Sequence, residues 1–313
     1  MENCNLSSLP NEVGNLISLE TLNLGKNKLR TLPDSICNLT RLVKLNLSKC
    51  DVSHLPGEIG RLISLERLDL PQNNLLTLPD SFCNLVSLRH LNLGDYNLSH
   101  LPDRIGKLSS LLSLSLERNN VCSLPNSFSD LASLQFVHLS YCKRLQSLPK
   151  LPEWSESTYI YLPGDEVPNR FQYQYTGSKL SLVVPPLETR RILGCSLCVV
   201  FRTHEDCVRQ KSTALFLHNK HTKSSLGVPI TPQDQDQMIL FYFPSKETAL
   251  SGRIHAGDEF KFEIKLAPWS AATVATVKKC GINLIYEDNT EMHIKKKRNI
   301  TDTRDSDISS PRN

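Results

Sequence analysis

Two cysteines, Cys195 and Cys198, have the spacing of a zinc-ligand pair or of a thiol–disulfide redox motif. They lie in the apolar stretch GCSLCVVF, residues 194–201, whose composition predicts a β-strand. An odd spacing along a strand places two side chains on opposite faces of a sheet. No second cysteine pair follows in the sequence. We therefore expect two structural thiols rather than a metal site or a redox centre.

The other residues that could carry chemistry also lack partners. His218 and His221 are spaced like metal ligands, but no nearby cysteine or carboxylate completes a set, and the acidic pairs Glu205-Asp206 and Asp258-Glu259 lie in predicted turns. Among the cysteines, only Cys207, in THEDCVRQK, has a charged neighbourhood. The phosphate-binding pattern G-x-x-x-x-G-K-[ST] does not occur in the sequence. The sequence thus predicts no enzyme activity, no cofactor and no metal site.

Composition excludes several classes of partner. The 313 residues are enough for about two domains. The net charge of +4, from 36 basic and 32 acidic residues, is spread along the chain and does not form the footprint of a nucleic-acid groove. There is no run of 18 apolar residues, and the N-terminus has no signal-peptide pattern, so we expect no membrane partner. Ten cysteines without a paired framework favour a reducing, cytoplasmic compartment.

The elements that must position any functional residue come from a repeat. Leu-Pro pairs recur with a spacing of 23 residues five times and then 24, from Leu9-Pro10 to Leu148-Pro149. Between the pairs, Leu19, Leu22, Leu24, Asn27 and Leu29 fit L-x-x-L-x-L-x-x-N-x-L, the pattern of a leucine-rich repeat. Residues 1–150 are therefore predicted to form an α/β leucine-rich-repeat solenoid, a horseshoe of six to seven repeats.

Each position of the repeat has an expected role. Leu22 and Leu24 point into the core, so period-two alternation turns Thr21 and Asn23 towards the concave side. The Asn27 amide satisfies backbone groups at the bend after the strand. Asn23, on the open face, is expected to matter little for stability.

The convex side and two substitutions complete the repeat. Ile36, Leu39 and Leu42 are three residues apart, as a short helical turn with one buried face requires. Cys50 and Cys142 replace the buried asparagine, and we expect looser repeats there because a thiol is a weaker donor. Cys4 already occupies this position with no preceding strand, from which we expect the chain to be a fragment.

The residues left free to bind a partner are the columns between the leucines. From them we select eight candidate binding residues on the concave face: Lys44, Lys49, Arg67, His90, Arg118, Phe136, His138 and Tyr141. The surface begins basic and ends aromatic. Phe136 and Tyr141 are the expected anchors, because aromatic residues dominate binding hot spots. The alternative is that they only cover the last strand beneath the following domain.

The repeat stops after Pro149. A linker is expected at residues 151–160, and several short strands separated by turns then predict a β-sandwich at 161–290. Within it, Phe260, Phe262, Ile264 and Leu266 alternate with charged residues and should share one face. The polar tail, residues 291–313, is predicted to be disordered. Its basic run, Lys295–Arg298, is either a nuclear import signal or solvated charge.

Four segments of the second half resemble a known family. LPGDEVPNRF (162–171), TGSKLSLVVPP (176–186), GCSLCVVF (194–201) and VKKCGINLIYED (277–288) are similar to the jelly-roll/Ig-like domain that follows the repeats in plant TIR–NB–LRR immune receptors. With the repeats, the resemblance covers about residues 1–290. Arg170 departs from it, since the family usually has Trp there. The TIR and nucleotide-binding modules are not in this sequence.

The resemblance implies a non-enzymatic recognition module. Its partner would be a pathogen effector or a guarded host protein, held by the concave face and the C-terminal domain, and it would also contact its own or a paired receptor's nucleotide-binding module. Two alternatives stay open. One is a stand-alone adaptor or decoy that uses the same surface. The other is an enzyme such as a Cys-dependent ubiquitin ligase acting through Cys207, against which the β-rich pattern argues.

Overall fold

The structure is a computed structural model. It describes residues 1–95, 97–152, 158–169, 171–183, 192–203, 213–219, 225–230, 236–244, 259–268 and 275–286. Its main feature is one long sheet whose first part is parallel and whose second part is antiparallel, with a smaller second sheet packed against the antiparallel part.

Six short strands form the parallel part, one for each repeat. They are β1 (Thr21–Asn23), β2 (Lys44–Asn46), β3 (Arg67–Asp69), β4 (His90–Asn92), β5 (Ser113–Ser115) and β6 (Phe136–His138). On the opposite side lie 3-10 helices at Asn11–Asn15, Asp34–Asn38, Ile59–Arg61, Asp80–Asn84, Ile105–Lys107 and Asn126–Asp130. The horseshoe predicted for the first half is confirmed as a leucine-rich solenoid with a parallel sheet.

The regularly spaced leucines form the core, as predicted. Neighbouring strands pair in a register of 23 residues, so that Leu45 lies beside Leu68 and Leu68 beside Leu91, all at most 2% exposed. On the helical side Ile36 and Leu39 are fully buried, again as expected. Each such side chain contributes about 1.5–3 kcal/mol by leaving water. The solenoid is stable because each repeat buries its leucines against the next.

In three of the repeats a buried asparagine, Asn27, Asn73 or Asn119, forms a link to the repeat before it. The Asn73 Oδ1 accepts a hydrogen bond from the Val52 amide at 2.9 Å, while its Nδ2 donates to the Leu47 and Leu70 carbonyls at 2.8 and 2.7 Å. Asn27 and Asn119 make the same kinds of bond. The role predicted for this amide is therefore confirmed.

The two cysteines at this position make fewer bonds. Cys50 Sγ donates to the Leu24 carbonyl at 3.3 Å, and Cys142 Sγ donates to the Leu116 carbonyl at 3.1 Å. A thiol cannot supply the amide's two donors and strong acceptor at once. That these repeats are looser stays a prediction.

That Asn23 matters little for stability stays a prediction, although its side chain is hydrogen-bonded. Asn23 has bonding partners: its Oδ1 accepts from the Gly25 amide at 3.1 Å and from Asn46 Nδ2 at 3.0 Å, and its Nδ2 donates to Glu2 at 3.0 Å. Equivalent side chains of adjacent repeats lie side by side in a parallel sheet, so two amides in one column can bond to each other. Asn23 is consequently a poor control for the buried asparagines.

The second half of the chain continues the same sheet. Its strands are β7 (Thr158–Pro163), β8 (Tyr173–Thr176), β9 (Lys179–Val183), β10 (Ile192–Thr203), β11 (Thr213–Asn219), β12 (Ser225–Ile230), β13 (Asp236–Pro244), β14 (Glu259–Pro268) and β15 (Ala275–Tyr286). The long sheet has the order β1-β2-β3-β4-β5-β6-β7-β13-β10-β15-β8. The second sheet has the order β12-β11-β14-β9.

Strand β7 forms the connection between the two halves. It pairs in parallel with β6, Val137 lying opposite Ile160, and antiparallel with β13 on its other side. The predicted linker 151–160 therefore overlaps β7. Its last three residues, 158–160, belong to this strand and complete the backbone hydrogen bonds of the last repeat.

The two faces of the long sheet enter different cores. Cys195 of β10 packs between the sheets with Leu182 of β9 and Ile264 of β14. Cys198 points to the opposite face and joins the core that the repeats begin. The prediction that these two thiols lie on opposite faces is confirmed. Ile264 is buried as expected for its strand, while the side chains of Phe260, Phe262 and Leu266 lie outside the described ones.

The buried amide gives the first prediction. Replacing Asn73 by Ala leaves the Val52 amide and two carbonyls unpaired, so we expect unfolding to become easier by about 1–3 kcal/mol. Asn74→Ala is the matched control. This neighbouring asparagine is exposed, and we expect a change within about 0.5 kcal/mol. Urea titrations of both variants measure the free energy of unfolding, and equal losses of it would contradict the role given to the buried amide.

Glycine alternates with larger residues at one convex position. The column reads Gly14, Cys37, Gly60, Cys83, Gly106 and Ser129. A Cβ on any of the three glycines would overlap the carbonyl oxygen of a serine in the next repeat, Ser35, Ser81 or Ser127. The glycines therefore allow close approach to the following repeat.

The second prediction tests this close approach. Gly60→Ala should lower the free energy of unfolding by about 1–3 kcal/mol, because the new methyl group forces two backbones apart. Gly57→Ala, three residues earlier, meets no described atom within 4 Å. It should be neutral or slightly stabilising, since alanine restricts the unfolded chain. Thermal melts showing equal effects for both substitutions would argue against the contact.

Candidate functional site

The concave face is a regular array of side-chain columns, as predicted. One column runs through Thr21, Lys44, Arg67, His90, Ser113 and Phe136, and the next through Asn23, Asn46, Asp69, Asn92, Ser115 and His138. Strand β7 extends both columns, placing Tyr159 beside Phe136 and Tyr161 beside His138. These two tyrosines were missed from the sequence, since β7 lies outside the repeat period.

A third column borders the face at the turn after each strand. Its residues Lys26, Lys49, Gln72, Asp95, Arg118 and Tyr141 all have positive φ, between 54° and 61°. This conformation is uncommon for residues other than Gly, Asn and Asp. The first five of these turns are held by a backbone hydrogen bond to the next repeat, such as Lys49 N to the Pro71 carbonyl at 2.8 Å. The column thus presents long side chains from a fixed backbone.

The early part of the face carries two unpaired cations. Lys44 and Lys49 are exposed, and no described carboxylate lies within 4.0 Å of either ammonium group. Arg67 differs, because its Nε donates to Asp69 Oδ2 at 2.6 Å and its Nη2 to Oδ1 at 3.2 Å. Alternation along β3 places these two side chains on one face. His90, the next residue of the column, is exposed.

The late part of the face is aromatic. The Phe136 ring lies 5.5 Å from the Tyr159 ring and 5.7 Å from the Tyr161 ring, and the His138 ring lies 4.9 Å from that of Tyr161. We call Phe136, His138, Tyr159 and Tyr161 the junction aromatics. Tyr161 is buried in the core between the two sheets, while Phe136 and Tyr159 are half-buried against its edge. Tilted ring pairs at these separations are favourable.

His138 is held as a neutral imidazole. Only 19% of its side chain is exposed, and burial lowers its pKa to about 4, with the Arg118 cation acting in the same direction. Its Nε2 has no hydrogen-bond partner among the described residues. Burial also raises the pKa of Glu117, whose Oε2 lies 3.8 Å from His138 Nδ1. His138 is thus mainly a packing residue of the junction.

Arg118 and Tyr141 form a second contact at the edge of the aromatic part. The guanidinium carbon of Arg118 lies 4.8 Å from the centre of the Tyr141 ring. Its Nη1 is 3.2 Å from Asp95 and 3.6 Å from Glu117. Half of the Arg118 side chain, 52%, stays exposed. This contact holds the Arg118 cation over the face of the ring.

The structure does not describe the remaining sequence candidates. Cys207, His221, Arg170 and the Lys295–Arg298 run lie outside the described residues, as does the His218 side chain. Within the ranges that the structure describes, no group of three metal-ligating side chains comes together. None of the described helices is long and apolar enough to span a membrane.

Comparisons with known families agree with this architecture. A leucine-rich repeat region matches residues 1–73 and 78–158, a single leucine-rich repeat matches 64–85, and a C-JID domain matches 162–291. The molecule is therefore a leucine-rich repeat protein with a C-JID domain after its repeats. That domain follows the repeats in plant TIR–NB–LRR resistance proteins, and the chain belongs to this family. The resemblance identified in the sequence is confirmed.

Several solved structures are similar to this chain over part of its length. A leucine-rich repeat protein from Leptospira interrogans is 30% identical, with 52% of this chain and 48% of that one covered and a TM-score of 0.39. The Arabidopsis receptor kinase HAESA, solved with the peptide hormone IDA and the co-receptor SERK1, is 29% identical, with 43% and 24% covered and a TM-score of 0.38. The chain thus spans half or less of these two proteins. The curated proteins contain no significant match.

Burial of His138 makes stability depend on pH. An unfolded histidine takes up its proton near pH 6.5, whereas folded His138 does so only at about pH 4. The unfolded chain therefore binds more protons in this window, and the stabilisation is full above pH 6.5 and is lost as pH falls towards 4. We expect wild type to lose about 2–3 kcal/mol more than His138→Gln between pH 7 and pH 4.

Urea unfolding at several pH values measures this difference. His90→Gln is the control, because it replaces an exposed imidazole on the same face and should keep the wild-type slope. An unchanged slope in His138→Gln would show that the buried ring is not responsible.

Proposed function

We propose that the chain is a protein-recognition module of a plant immune receptor, binding a pathogen effector or a guarded host protein. The binding surface comprises the concave columns together with the edge of the C-terminal domain. The observation that carries the proposal is the continuity of the sheet through β6 and β7, which joins the two family domains into one face. A surface made by two domains can bury more of a partner than either alone.

The chemistry of this face suits a protein partner. Half-buried aromatic rings at the junction can act as anchors, and Arg118 over Tyr141 adds a cation–aromatic pair. Lys44 and Lys49 can raise the association rate through long-range attraction. All eight predicted residues are part of this proposal, with His138 as a support rather than a contact, since most of its side chain is buried.

The proposal includes a finer description of the C-terminal half. We infer that the two packed sheets of residues 161–290 form a jelly-roll or Ig-like sandwich, with the repeats at 1–150. The nucleotide-binding module of the same or a paired receptor would be the second partner. A cytoplasmic location, and a nuclear one if Lys295–Arg298 acts as an import signal, complete the proposal.

Two other functions are alternatives to the proposed one. A stand-alone adaptor or decoy would use the same surface, and signalling assays rather than binding assays separate it from a receptor. An enzyme acting through Cys207 has less support. Both family domains are typically recognition modules, and the described cysteines are either inert by burial, as Cys195 is with its pKa raised to about 12, or isolated.

The binding surface is tested by removing the anchors. For a partner captured with the wild-type chain, Phe136→Ala plus Tyr141→Ala should weaken binding at least about tenfold, or about 1.4 kcal/mol, because two aromatic contacts are lost. Ser109→Ala plus Ser110→Ala, in the turn before β5 and outside the columns, is the control and should bind normally. Calorimetric titration gives both affinities.

Thermal melts of the same variants distinguish binding from packing. Phe136 also stacks on Tyr159, so a double variant that melts earlier but binds with full affinity when folded would show that the rings only close the junction. That result would contradict the proposed surface. Lys44→Ala plus Lys49→Ala should slow association, with an effect that shrinks at high salt.

A further inference from the structure

We propose, building on the protein-recognition function, that the concave face selects a partner helix with two different ends. One end is acidic and lies over Lys44 and Lys49. The other is aromatic or aliphatic and lies against Phe136 and Tyr159, beginning about 19 Å away. The structure thereby assigns both the chemistry of the partner segment and its length.

The acidic end follows from how charge is distributed over the face. Most cations of the three columns are already neutralised: Lys26 pairs with Glu2 at 2.9 Å, Arg67 with Asp69 at 2.6 Å, and Arg118 with Asp95 at 3.2 Å.

Lys44 and Lys49 are the exception among the lysines and arginines of these columns in the described residues. They lie at the two ends of the same short strand and its turn, both exposed. Between them lies the neutral amide of Asn46, which is hydrogen-bonded to Asn23 and Ser48. A partner that places carboxylates here meets two unpaired ammonium groups without displacing an existing ion pair.

The apolar end follows from where the open face stops. Beyond β7, the next residues on the same face are Ile239 and Phe241 of β13, and these are buried against the second sheet. Phe136 and Tyr159 are the last half-exposed rings before this cover. A partner lying along the face therefore ends here, and apolar side chains at its end gain the most by contact with these rings.

The spacing fixes the length of the segment. From β2 to β6 there are four strand-to-strand steps, each about 4.8 Å, which gives about 19 Å between the two parts. An α-helix rises about 1.5 Å per residue, so about 13 residues cover this distance. A helix is favoured over an extended peptide because the strands within this face have their backbone groups paired already. An extended partner lying across them would leave its own amides unpaired.

The test is a selection from a display library of helical 18-residue peptides with randomised surface positions. The complete chain is the target. We expect enriched peptides to carry Asp or Glu at one end and Phe, Trp, Leu or Ile about 13 residues away. Selection on Lys44→Ala plus Lys49→Ala should lose the acidic end and keep the apolar one. Selection on Phe136→Ala plus Tyr159→Ala should lose the apolar end.

The matched control keeps net charge while removing a paired cation. Selection on Arg41→Gln plus Glu20→Gln should return the wild-type pattern, because this ion pair, 3.5 Å long, lies outside the three columns. For individual peptides, the Lys44 and Lys49 substitutions should weaken binding about tenfold at low salt and less at high salt.

Three outcomes would overturn the inference. Binders that need Phe136 and Tyr159 but show no acidic preference would remove the charge argument and leave the proposed function standing. Acidic and apolar groups enriched without the 13-residue separation would remove the length argument. A selection that yields no binder, or only binders insensitive to every variant on this face, would contradict the proposed surface as well.

Discussion

The parallel pairing of β6 with β7 is the interaction on which the rest of the arrangement depends. Val137 beside Ile160 continues the repeat core into the C-terminal half, while Phe136 beside Tyr159 continues the opposite face. A last repeat strand without this partner would expose backbone groups and leucine core to water. Because β7 also pairs with β13, one strand satisfies the end of the solenoid and begins the next domain. The two parts share hydrogen bonds rather than only touching surfaces.

This continuity also explains why the concave face changes character along its length. At the early strands both columns remain in contact with water, so charged and amide side chains are tolerated, and most of them pair with each other. Near β6 the second sheet begins to cover the face and the same columns become aromatic. His138 marks the transition, since burial holds its imidazole neutral only one strand before the buried Tyr161. Polarity therefore follows the distance from the second sheet.

The sequence predicted the repeat positions well because two periods constrain them together. A strand period of two and a repeat period of 23 leave a single assignment for Leu45, Asn73 or Lys44, and the structure follows it. The same alternation predicted opposite faces for Cys195 and Cys198. The pairing of β7 with β6 could not be predicted, since a strand outside the repeat carries no periodic signal. The positive φ of Arg118 and Tyr141 was also hidden, because neither residue type favours it. The Arg67–Asp69 pair could have been found, as both side chains lie on one face of a strand.

The alternating glycines on the convex side give the molecule a unit larger than one repeat. Glycine at positions 14, 60 and 106 allows the serine backbone of the following repeat to come close, and the intervening repeats carry Cys37, Cys83 and Ser129 instead. Adjacent repeats are therefore not interchangeable. Duplicating or deleting one repeat would bring two repeats of the same kind together, whereas a change of 46 residues would keep the alternation. The convex packing of this solenoid therefore has a pair of repeats as its unit, and a change of length that preserves this packing takes two repeats at a time.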